Sequence, residues 1–149
     1  MLEGIRVIEL EGIGPGPFAG MTLADLGADV VKVHRPSQTQ EDKKETLSLL
    51  DRGKRSVILN LKDQKDKQTL KGLIKGGNVL IEGHRPGVME RLGFDEKTVF
   101  ELNPNIIFGR ITGWGQGGPN ATQAAHDLNY ISKTGSLWFS SNEGGIPFT

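Results

Sequence analysis

Residues 5–34 read IRVIELEGIGPGPFAGMTLADLGADVVKVH, and this stretch decides the fold. Ile5, Val7, Ile8 and Leu10 form a short strand, mostly apolar as a strand buried on both faces is. Glu11-Gly12-Ile13-Gly14-Pro15-Gly16-Pro17 then breaks the chain with glycine and proline. A helix is expected from about Phe18 to Leu26, ending at Gly27, with Phe18, Met21, Leu23, Ala24 and Leu26 among its apolar or small positions. Asp29–His34, DVVKVH, reads as a second buried strand. Strand, turn, helix and strand within about thirty residues make a βαβ unit, whose crossover should be right-handed.

Working outward, the pattern repeats. Pro36–Glu45 is polar and expected to be mobile, and Ser56–Asn60 is a third strand. A charged helix runs from about Lys62 to Lys75, with Leu70, Leu73 and Ile74 as its inward stripe. Gly76-Gly77 stop it, and Asn78–Glu82 is the fourth strand. GHRPGVMERLG makes a turn and a short helix, Asp95 caps a further helix through Leu102, and Ile106–Thr112 is the fifth strand. This order predicts an α/β fold: an open, mainly parallel sheet with flanking helices and functional loops after the strands.

Composition narrows the chemistry. Acidic and basic residues balance at 18 each, which argues against a nucleic-acid or membrane-surface protein. No cysteine is present, so disulfides, thiolate metal sites and cysteine nucleophiles are excluded together. His34, His84 and His126 lie far apart and show no metal-ligand spacing. No apolar run approaches the ~20 residues of a membrane span. The N-terminus enters a strand at once, so no leader is expected and the protein reads as cytoplasmic, with a peroxisomal or mitochondrial location as the eukaryotic alternative. The Gly/Ser/Pro stretch at 140–149 has no closing element, and the expectation is that the chain is a fragment.

Gly14-Pro15-Gly16-Pro17-Phe18-Ala19 satisfies the G-x-G-x-x-G/A dinucleotide pattern, and Arg35 stands where an NADP site would hold its extra phosphate. A tight turn bringing helix close to strand is the preferred reading. Pyrophosphate is held by free backbone N–H groups at a helix start, and Pro15 and Pro17 each lack one. Arg35, Lys54, Arg55, Lys62, Arg85 and Arg91 are expected at strand ends, several converging on the carboxyl-end rim of the sheet. Each alone reads as a solvated side chain. Together they suit a polyanionic small molecule, because arginine binds phosphates through paired N–H groups.

The second informative stretch is Thr112–Gly135, TGWGQGGPNATQAAHDLNYISKTG. Its glycines and Pro119 exclude regular structure up to His126-Asp127. An apolar-periodic segment, Leu128, Tyr130 and Ile131, then stops at Gly135. The pattern describes a flexible loop delivering His126 to the start of a short helix, with Asp127 as N-cap and Gly135 as the terminating residue. Neutral imidazole is a base. The plainer alternative is a capping dipeptide with a surface histidine.

GIGPGPFAGMTLADLGADVVKVHRP, LIEGHRPGVMERLG and RITGWGQGGPNATQAAHDLNYIS closely resemble the α-methylacyl-CoA racemases of the family III CoA-transferase superfamily. The resemblance runs from about Ile5 to Gly135, and the last two blocks are its specific part. It implies a Rossmann-like CoA-binding domain. Arg35 corresponds to the arginine that meets the adenosine-phosphate end of CoA, and Leu59, Asn60, Leu61 and Lys62 to a wall of that site. Gly83, His84 and Arg85 correspond to a CoA-contacting segment, and Arg91 to a further phosphate contact. Ala125, Asn129 and Tyr130 belong to the loop and helix start beside the thioester, with His126 as catalytic base and Asp127 beside it. Glycine is common in the family at position 125, and an aromatic residue at position 84.

The resemblance further implies a 2-methylacyl-CoA racemase acting on an acyl-CoA thioester by acid–base proton transfer. CoA enters as part of the substrate, and no separate cofactor or metal is required. It also implies a second, smaller domain, an interlocked homodimer at full length, and, as acid–base partners of the histidine, an aspartate roughly thirty residues past His126 and a glutamate further on. Those features lie outside residues 1–149, so the chain as given is expected to be inactive alone. A family III CoA transferase and a non-catalytic CoA-binding module are the alternatives.

Overall fold

The computed structural model describes residues 1–36 and 48–141. Most of the polar stretch expected at Pro36–Glu45, and the tail containing Glu143, lie outside the described residues. The chain divides into two compact units, Met1–Ile111 and Thr112–Thr149.

The first unit is built on five parallel strands: β1 (Arg6–Leu10), β2 (Asp29–His34), β3 (Arg55–Ile58), β4 (Val79–Glu82) and β5 (Ile107–Arg110). Their spatial order is β3-β2-β1-β4-β5, with neighbours parallel throughout. These are the first five positions of the dinucleotide-binding order, in which the chain reverses direction beside β1. Val7 sits opposite Val30 on one side and Val79 on the other. Because side chains alternate across a strand, β1 feeds both faces of the sheet.

One face packs Ile8, Leu10 and Leu80 with Leu70 and Ile74 of α2 (Gln64–Lys75), Met89 of α3 (Val88–Leu92) and Val99 of α4 (Glu96–Leu102). The other packs Val7, Val30 and Ile81 against Ala19, Leu23 and Ala24 of α1 (Pro15–Asp25). Burial on both faces explains why β2 is nearly continuous apolar sequence.

Helix boundaries follow local chemistry. Helix α1 begins at Pro15, three residues before the expected Phe18, because proline's fixed φ suits the first helical position. Gly14 enters it at φ 70°, a conformation that disfavours any side chain. Helix α2 starts at Gln64, after the expected Lys62, since the Asp63 carboxylate accepts the Lys65 N–H at 2.8 Å and caps it. Asp95 caps α4 as expected, accepting the Thr98 N–H at 2.8 Å.

In the second unit, α5 (Asp127–Thr134) is followed by a 3₁₀ turn at Ser136–Ser140. The N-cap is His126 and not Asp127, which occupies the first helical turn. Asn129 Oδ1 accepts the His126 N–H at 2.9 Å, and the His126 carbonyl accepts the Asn129 N–H at 2.9 Å, so the boundary falls one residue early. Gly135 ends the helix at φ 79°, as its position suggested.

Candidate functional site

At the carboxyl ends of β1, β2 and β4 lies a cavity of about 270 Å³, beside the reversal of strand order where open α/β sheets bind ligands. Of the residues singled out by sequence, Arg35, Leu61, Gly83 and His84 line it. The sequence reading missed Glu11 and His34, which also line it. Both directly end the first two strands, and that position was the available signal.

Glu11 organises this rim. Its Oε2 accepts the Arg35 backbone N–H at 2.9 Å and stands 3.5 Å from the Arg35 Nε, while Oε1 lies 3.9 Å from His34 Nδ1. The Arg35 side chain is 83% exposed, so its guanidinium is loosely held and open to an anion.

The remaining wall residues have different duties. Leu59 is buried in the core. Asn60 shapes the turn into α2: its N–H donates to Asp66 Oδ2 at 2.7 Å, and its Oδ1 accepts the Lys62 N–H at 3.2 Å. Lys62, Arg85 and Arg91 are exposed and outside the cavity lining.

The expected convergence of basic groups on this rim is corrected at two positions. Arg55 is the first residue of β3 and hydrogen-bonds Asp29 at the amino end of β2. Lys54 is sealed beneath α1, donating to Glu9 Oε2 at 2.6 Å and the Pro17 carbonyl at 2.9 Å. Arg55 stays at the amino ends of the strands, and Lys54 is taken up by a buried ion pair outside the cavity lining. The dinucleotide-like turn is also accounted for: Pro15 and Pro17 fall in the first turn of α1 and remove two of the donors that would meet a pyrophosphate.

The opposite face of β4 from the Lys54–Glu9 pair carries a second buried carboxylate. Glu82 Oε2 accepts the His84 N–H at 2.7 Å, and Oε1 accepts Arg110 Nε at 2.9 Å. Burial alone would raise the Glu82 carboxyl, but the His84 and Arg110 contacts outweigh it and hold it below the usual carboxylate range. Arg110 also meets Glu90 at 2.9 Å and Glu96 at 3.4 Å.

The second unit assembles the other sequence-selected residues. The Tyr130 hydroxyl donates to the Ala125 carbonyl at 3.0 Å, bridging α5 to the residue preceding His126. Trp114 meets the Tyr130 ring edge-on at 5.1 Å. A Cβ on Gly113 would overlap the Tyr130 hydroxyl, so a side chain there would displace the Tyr130 ring. His126 and Asp127 are both exposed. The imidazole therefore stands at a helix N-terminus on a segment braced by Asn129 and Tyr130.

Relatives recognised by sequence point to one family. The chain is 41% identical to the alpha-methylacyl-CoA racemase of Mus musculus, over 99% of its own length and 37% of that protein's. It is 34% identical to the acetyl-CoA:oxalate CoA-transferase of Acetobacter aceti, over 97% of this chain and 40% of that one. The crystal structure of Rv3272 from M. tuberculosis matches with a TM-score of 0.84 at 33% identity, covering 99% of this chain and 42% of that one. The chain thus spans well under half the length of these relatives. The sequence pattern of CoA-transferase family III matches residues 2–149, and with the sheet order and the cavity at its reversal the chain belongs to CoA-transferase family III.

Proposed function

We propose that this chain is the CoA-binding part of a 2-methylacyl-CoA racemase. The observation that carries the reading is His126, an exposed imidazole held at the N-terminus of α5 by Asn129 and supported by the Tyr130–Ala125 bridge. Racemisation beside a thioester needs a base to take the α-proton from one face and an acid to return a proton to the other. His126 is the base in this reading, and the electrons left on the α-carbon delocalise to the thioester oxygen as an enolate. Backbone N–H groups at the start of α5 favour that developing charge.

The cavity of the first unit serves the remote part of the substrate. Arg35 pairs with a phosphate of CoA, and Leu61, Gly83 and His84 line the space beside it. Binding energy gathered there positions a small reacting group. The thioester supplies the α-carbon acidity, so the reaction calls for no separate cofactor.

The test is α-proton exchange by the protein at its native length. A single 2-methylacyl-CoA epimer in heavy water should gain deuterium and lose stereochemical purity, and His126→Ala should abolish both while retaining CoA binding. Undiminished exchange in that variant would place the base elsewhere. The CoA-transferase reading is favoured by the oxalate-transferase relative. It predicts instead transfer of CoA to a free carboxylic acid, without deuterium at the α-carbon.

A further inference from the structure

Glu82 is wholly buried at the end of β4, yet three groups from two chain segments are directed at it. Its Oε1 takes the Arg110 guanidinium. Its Oε2 takes the backbone N–H of His84, two residues on, and lies 3.4 Å from Nδ1 of the same histidine. That Nδ1 is sealed from solvent and makes no hydrogen bond of normal geometry, and Glu82 Oε2 is the acceptor that faces it. The side chain as a whole remains 29% exposed and lines the cavity, so its accessible part lies away from Nδ1.

A neutral imidazole carries one N–H and one lone pair, and the partner of one nitrogen decides the role of the other. A carboxylate is an acceptor only. Facing one, Nδ1 is favoured as the N–H, which leaves Nε2 with the lone pair. We infer that Glu82 is a positioning residue: it fixes His84 as the Nδ1–H tautomer and thereby makes Nε2 an acceptor for a hydroxyl or amino group of the nucleotide portion of CoA. His84 then reads a donor, while Arg35 across the cavity reads charge. Arg110 holds the carboxylate ionised and stationary, and Glu90 and Glu96 hold Arg110 from α3 and α4. The inference rests on the CoA-binding reading of this cavity, but the tautomer itself can be measured without ligand.

The test uses the 149-residue chain with ¹⁵N-labelled histidine at mildly alkaline pH. Long-range ¹H–¹⁵N correlation should show the His84 proton on Nδ1 in the free protein. An Nε2–H tautomer in the folded wild type overturns the inference, whatever the variants do. Glu82→Gln, whose amide can donate to Nδ1, should move the proton to Nε2 and weaken CoA binding by about tenfold in calorimetry, the scale of one lost hydrogen bond. In a His84→Ala background the same substitution should change CoA affinity by less than about twofold, because an effect exerted through His84 disappears with its imidazole, whereas independent effects would add. A Glu82→Gln effect of equal size in both backgrounds would make Glu82 a fold element only. Failure of the wild type to bind CoA would remove the CoA-binding reading while leaving the tautomer result intact.

Discussion

Lys54 Nζ lies 2.6 Å from Glu9 Oε2, with the two side chains 2% and 0% exposed. Glu9 is on the central strand, and Lys54 immediately precedes the edge strand β3, 45 residues later. The ammonium also donates to the Pro17 carbonyl, so a single ion pins the start of α1 to the sheet. Removing one member of such a pair leaves a charge without compensation in a dry environment. Lys54→Met should therefore destabilise the fold by about 3–5 kcal/mol. The double variant Glu9→Gln/Lys54→Met should be more stable than Lys54→Met alone, because no uncompensated carboxylate remains. Urea unfolding of the variants measures both. A double variant less stable than Lys54→Met would show that the carboxylate is not the burden.

Two helical glycines should respond with opposite signs. On α2, a Cβ at Gly72 meets nothing within 4 Å, so Gly72→Ala should stabilise by about 0.5–1 kcal/mol. On α1, a Cβ at Gly20 would overlap Glu9 Oε2 and stand 3.2 Å from Lys54 Nζ. Gly20→Ala should destabilise by about 1–3 kcal/mol despite its better helix propensity. Thermal unfolding of the pair is the measurement, and equal shifts of the same sign would contradict the steric account.

Glu9 and Glu82 are equally buried and titrate in opposite directions. Burial outweighs the Lys54 contacts at Glu9 and raises it above the ordinary 4.5. Glu82 is lowered below 4.5, since the donors of His84 and Arg110 overcome its burial. Above 4.5, the folded chain holds a proton at Glu9 that the unfolded chain has released. Stability from this group therefore rises as pH falls through the folded Glu9 value. Below 4.5, the unfolded chain takes up a proton at Glu82 first, and stability is lost as pH falls through the folded value. Glu9→Gln should flatten the weakly acidic side of the stability profile, and Glu82→Gln should make the strongly acidic fall shallower. Urea midpoints across the acid range distinguish the two.

Arg35 should confer a preference for CoA over dephospho-CoA, because the exposed guanidinium at the cavity rim can pair with the additional ribose phosphate. Calorimetry on the wild type and Arg35→Ala is the check. The preference should be several-fold or more and should vanish in the variant, at about 1–2 kcal/mol for one charge-assisted contact. Equal wild-type affinities for the two ligands would remove this role.

Much of the architecture was legible because local signals agreed. The strand Asp29–His34 and the helix Glu96–Leu102 behind its Asp95 cap emerge at the residues their patterns indicate. The misplaced boundaries lie where one residue can serve two purposes: Pro15 can close a turn or open a helix, and His126 can cap while Asp127 follows. The rim was only partly legible. Periodicity identifies a strand but not the register that puts Arg55 beside Val31 at the amino end, away from Arg35. Lys54 reads as a surface cation until Glu9, far along the chain, is found beneath it. The pairing of Glu82 with Arg110, 28 residues apart, carries no local pattern at all.

The central position of β1 has a consequence during synthesis. The Arg6 N–H is received by Asn78 Oδ1, 72 residues later, and Val7 aligns with Val79. During synthesis β1 therefore keeps one edge unpaired until β4 has emerged. Closing contacts across such separations is slow, and an apolar strand with an open edge is the region through which a nascent chain associates wrongly. Shielding of VIEL at 7–10 by chaperones during that interval would therefore raise the yield of folded protein.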